Sequence, residues 1–67
     1  MTPREIRANL VLKGIKQREI AEKADVTPGF VSMVISGYRN GEKALEVKKI
    51  IAEELGMDVD EVFDSAA

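Results

Sequence analysis

Sixty-seven residues make one domain with no room for a catalytic second lobe, and a chain this short can bury only enough surface for a stability of a few kcal/mol. It has no Cys and no His, so it offers no disulfide and no thiolate site; zinc would have to be held by carboxylates alone, and no cofactor is expected. Net charge is −2, the longest apolar run is three residues, too short to span a membrane, and the opening MTPREI has no apolar signal-peptide region, so a cytoplasmic protein is expected.

The first element is signalled at once. Thr2-Pro3-Arg4-Glu5 puts a capping side chain, a proline at the first helical position and a Glu three residues after the cap in order. A helix should run from Pro3 to about Lys13 and stop at Gly14. Ile6 and Leu10 share its core face, while Val11 and Leu12 point elsewhere, to pack under the last helix or remain partly exposed. Ile15 starts the second element. Lys16 is a poor cap, so this start relies on an Ile15–Ile20 staple and on Glu19 near the positive end of the helix dipole. Ile20, Ala21 and Ala24 fall on one side, and the helix should end near Ala24 with Asp25 in a left-handed turn.

Thr27-Pro28 starts a third helix, Thr27 as cap and Pro28 where no backbone donor is needed. Val26 and Val31 can close a staple across the cap. Only Asp25, Val26 and Thr27 separate the two helices, the length of a helix-turn-helix turn. Ala21 sits where steeply crossed helices pass closest, and Val31, Val34 and Ile35 form the inward face of the third helix. Gly29 in its first turn would let backbone approach a ligand, and Gly37 is the expected left-handed end. Tyr38-Arg39-Asn40-Gly41 is a turn. A fourth helix should run from Glu42 or Lys43 to Leu55, with Ala44, Val47, Ile51 and Leu55 inward and Glu53 and Glu54 unfavourably near its negative end. Asp58 caps a short last helix, Val59 to Phe63, stapled by Met57 and Val62. Phe63 is expected as a core plug, with a dimer contact as the sharper possibility, and residues 64–67 should fray.

Charge is divided unevenly between the halves. Residues 1–40 carry seven Lys or Arg against four Asp or Glu, a balance of +3; residues 41–67 carry three against eight, a balance of −5. The basic excess lies in the half that holds the third helix, the arrangement phosphate binding needs.

The run Gln17-x-Glu19-Ile20-Ala21-x-x-Ala24-x-Val26-Thr27, then Val31-Ser32-x-Val34-x-Ser36-Gly37, resembles the lambda-repressor-like helix-turn-helix family. That family includes the Cro and repressor proteins of phages and many small XRE-type bacterial regulators. Leu55-Gly56-x-x-x-x-Glu61-x-Phe63 is similar to its closing segment, so the resemblance covers nearly the whole chain. It implies an all-α fold: a compact five-helix DNA-binding domain over residues 1–64, helix-turn-helix formed by the second and third helices, with residues 65–67 as a frayed tail. It also implies the site. Pro28, Gly29, Ser32 and Met33 match positions that face base edges. Gln17 matches the residue that holds a phosphate oxygen at a helix start, and Tyr38, Arg39, Asn40 and Lys43 lie where the family grips the backbone. Lys16 and Arg18 flank Gln17 and join the phosphate-contacting set; for Lys16, Arg18, Arg39 and Lys43 alike the alternative is an ordinary solvated charge. Two departures stand out. Asp25 replaces the usual turn glycine, and Pro28 and Gly29 carry no side-chain hydrogen-bonding group. Direct readout then falls to Ser32, which can pair with several bases, and Met33, which can touch a thymine methyl, with specificity leaning on phosphate register and DNA shape.

The function expected is a sequence-specific regulator of double-stranded DNA, pairing as a homodimer on a palindromic operator, with no membrane and no small-molecule substrate. The alternative is a helical protein-interaction module using the apolar surface of Pro28, Gly29, Phe30 and Met33. An enzyme is not expected, since no acid, base and nucleophile set is present.

Overall fold

The computed structural model describes residues 1–63; the expected fraying of residues 64–67 lies outside the described residues. Five helices run in order: α1 (Pro3–Leu12), α2 (Gln17–Ala24), α3 (Pro28–Ser36), α4 (Glu42–Leu55) and α5 (Val59–Val62), with no strand among the described residues.

Each start follows from its local sequence. The Thr2 hydroxyl accepts from the Glu5 N–H at 3.2 Å while the Thr2 N–H donates to Glu5 Oε1 at 2.8 Å, a closed capping box. Lys16 has no acceptor to offer, so α2 has half of such a box: the Lys16 N–H donates to Glu19 Oε1 at 3.1 Å. Thr27 Oγ1 accepts from the Phe30 N–H at 3.1 Å and opens α3. In α5 the Asp58 N–H donates to Glu61 Oε1 at 3.2 Å.

Four of the ends share one device. A residue in left-handed conformation turns the chain, and the next residue's N–H reaches back to a carbonyl in the last turn: Ile15 to Leu10 at 2.8 Å, Val26 to Ala21 at 2.9 Å, Tyr38 to Met33 at 2.9 Å and Met57 to Ala52 at 2.9 Å. The turning residue is Gly14, Gly37 or Gly56 in three of them, and Asp25, at φ 57 and ψ 48, in the fourth. The residues following the first two turns, Ile15 and Val26, then pack against the core.

The core is built from one stripe per helix: Ile6 and Leu10; Ile20, Ala21 and Ala24; Val31, Val34 and Ile35; Ala44, Val47, Ile51, Ala52 and Leu55; and Val62. No polar or charged side chain is buried among them. Ala21 is 1% exposed, which fits its place at the close crossing of α2 and α3. Three details differ from the expectations. Val62 is the sealed residue of α5, while Phe63 follows the helix, is only partly buried, and packs against the core under the Lys48 ammonium, 5.6 Å from its ring centre. With just one turn of helix after Asp58, the register that brings Val62 inward carries Phe63 to the edge. Ala52 joins the core because α4 is covered on both flanks of its stripe. Glu54, at the unfavourable end of α4, is paired with Lys23 of α2, which ties the helix-turn-helix to α4.

Candidate nucleic-acid interface

With Val31, Val34 and Ile35 turned inward, the opposite side of α3 is what remains for a partner. Pro28 and Gly29 are exposed; Ser32 and Met33 are partly buried yet open to solvent. A side chain at position 29 would have open space above it, with only Thr27 Oγ1 near, at 3.9 Å. This face carries no formal charge, and α3 has neither an acid in its first turn nor a base in its last. The acids that would have repelled phosphate from this helix are therefore absent from the helix itself.

The charged and hydrogen-bonding groups expected at the phosphates lie outside α3. Lys16 and Arg18 are exposed and Gln17 is partly buried, all at the N-terminal turn of α2. The first backbone N–H groups of that turn add positive potential, which Glu19 offsets locally through its bond to Lys16. After α3, Tyr38 is 80% exposed, and Arg39 and Asn40 are exposed beside it. The Arg39 guanidinium carbon lies 5.9 Å from the Phe30 ring centre, at the outer limit of a cation–π contact, so Arg39 is held alongside α3. Phe30 itself is partly buried and packs on the core. Lys43 Nζ meets Glu46 Oε2 at 3.1 Å within α4; both side chains are about half exposed, and such a pair exchanges readily for another anion.

The face is convex. Two shallow cavities, of about 220 Å³ beside Ile6, Ile35 and Phe63 and of about 430 Å³ beside Val11, Ile15 and Gln17, include none of Pro28, Gly29, Ser32 and Met33. An α-helix fits the major groove, whereas small-molecule sites are concave. No group of three or more Asp or Glu side chains able to hold a metal ion occurs among the described residues.

One polar contact had no signal in the sequence. Arg7 Nη2 of α1 donates to Ser36 Oγ at the end of α3 at 2.6 Å, partly buried. Arg7 follows the core residue Ile6, which could have placed it at the edge of a packed face; its partner, 29 residues away, depends on how α1 and α3 pack.

A family model described as helix-turn-helix matches residues 4–62, nearly the whole chain. Neither the curated proteins nor the solved structures yield a match.

Proposed function

The chain belongs to the lambda-repressor-like helix-turn-helix family, whose domains bind DNA, and we propose that it is a sequence-specific regulator of transcription that inserts α3 in the major groove. The observation that carries this is the division of α3: Val31, Val34 and Ile35 are sealed in the core, and Pro28, Gly29, Ser32 and Met33 are left on the open, uncharged side. A helix fits the major groove, where each base pair presents a distinct pattern of donors, acceptors and methyl groups. Ser32 supplies one donor and acceptor, Met33 an apolar surface for a thymine methyl, and Gly29 lets the helix backbone come close. Lys16, Gln17 and Arg18 on one flank, with Tyr38, Arg39, Asn40 and Lys43 on the other, take the phosphates and set the register.

So small a reading surface discriminates by only a few contacts, each contributing about 1–3 kcal/mol. Two copies on a palindromic operator multiply it. The described part of the domain extends 28 Å along its longest principal axis, which is compatible with two copies side by side at the roughly 34–36 Å that separate half-sites one helical turn apart. Packing of Phe30 against the core reduces the apolar area available to a protein partner at the same surface, which favours DNA over the interaction-module alternative.

Selection of bound sequences from random duplexes at low salt tests the proposal. A palindromic consensus is expected. Recovery of unrelated sequences, or of none, would contradict it.

A further inference from the structure

We propose that Arg7, on α1 and outside the residues assigned to the bases and phosphates, is a positioning residue that sets the angle of the reading helix. The inference rests on α3 being the groove reader. Its observation is the 2.6 Å bond from the Arg7 guanidinium to Ser36 Oγ, the one side-chain hydrogen bond between α1 and α3 among the described residues.

Ser36 stands four residues after Ser32 and three after Met33, so all three lie on the same side of α3. A clamp on Ser36 therefore fixes the roll of the side that meets the bases. The base of the clamp is stiff: Ile6 and Leu10, on either side of Arg7 in α1, are each 1% exposed. The far end of α3 also lacks a positive charge of its own, and Arg7 brings one from α1 to its carbonyl end. Thr27 fixes the start of α3 and Arg7 the end. The turn beginning at Gly37, which carries Tyr38, Arg39 and Asn40 to the backbone, leaves from the residue that Arg7 holds. A guanidinium suits this because its planar fork has a fixed direction, whereas an ammonium is a point charge on a flexible stem.

The test uses the full chain with a duplex selected by the wild type and a scrambled one, each over a salt series, with thermal melting of every variant. Arg7→Met and Ser36→Ala should each lower affinity for the selected duplex about tenfold, in line with a lost charge-assisted hydrogen bond. Affinity for the scrambled duplex and the salt slope should stay unchanged, the double variant should lose no more than either single one, and Arg7→Lys should fall between. Ser36→Ala suits a helix and keeps the test valid if Arg7→Met unfolds. Full affinity in Ser36→Ala, additive losses, or a salt slope reduced by about one unit, the mark of a direct phosphate contact, would each overturn the proposal. A wild type that selects no duplex overturns the groove reading and this inference with it. Selection by the wild type with unaffected variants overturns this inference alone.

Discussion

Asp25 is the one non-glycine with positive φ among the described residues, and it occupies the turn between the two helices of the motif. Left-handed backbone costs an L-residue roughly 1–2 kcal/mol, less for Asp, because Cβ crowds the carbonyl oxygen. Asp25→Val should therefore lower stability by about 1–2 kcal/mol, since a β-branched side chain tolerates this conformation worst. Asp25→Gly should raise it by less than about 1 kcal/mol, the relief being partly offset by a more flexible unfolded chain. Urea midpoints for the three proteins check the order; equal midpoints would mean that the turn is not held left-handed. At the next cap, Thr27→Ala should cost about 1 kcal/mol by removing the acceptor for the Phe30 N–H. Both residues announce their roles in the sequence, because a cap or a turn depends on its immediate neighbours. Arg7 and Lys23 do not, because their partners Ser36 and Glu54 are supplied by packing.

Between elements, the crossing of α2 and α3 depends on Ala21. Ala21→Leu adds three carbons to a sealed contact and should cost about 1–3 kcal/mol or more, and it should weaken DNA binding by splaying the motif. Normal melting together with normal binding would show that the crossing has slack. The cap of α1 makes a pH-dependent contribution. Bonding to the Thr2 N–H and hydroxyl holds the Glu5 carboxyl below its ordinary value of 4.5. The folded state thus favours the ionised form, so the contribution is present above that ordinary value and is lost as pH falls through the lowered one. Melting temperatures of wild type and Glu5→Gln should differ at neutral pH and converge in acid; a constant gap would refute this. Lys23 has the opposite sign, its pKa raised by the bond to Glu54, and its contribution is lost only as pH climbs beyond the ordinary value of 10.5. The helix order and most of the core stripes were legible from periodicity. The edge position of Phe63 was not, because a single turn of helix leaves its register to the packing of α5 on α4.

For the whole molecule, a net charge of −2 conceals a basic N-terminal half and an acidic C-terminal one. The helix proposed to read DNA, α3, has no charge, so in this proposal attraction to DNA comes from residues outside it, and binding should weaken steeply with salt as counterions are released. Arg39→Gln should weaken binding to all duplexes alike and reduce the salt slope by about one unit. An unchanged slope would leave Arg39 as a partner of Phe30 only. The central claim is that the open side of α3 distinguishes one DNA sequence from another. The most direct measurement is the ratio of affinities for the selected and a scrambled duplex, for the wild type and for a Ser32→Ala/Met33→Ala double variant. The ratio should collapse in the variant while affinity for the scrambled duplex persists. A ratio equal to that of the wild type would contradict the account.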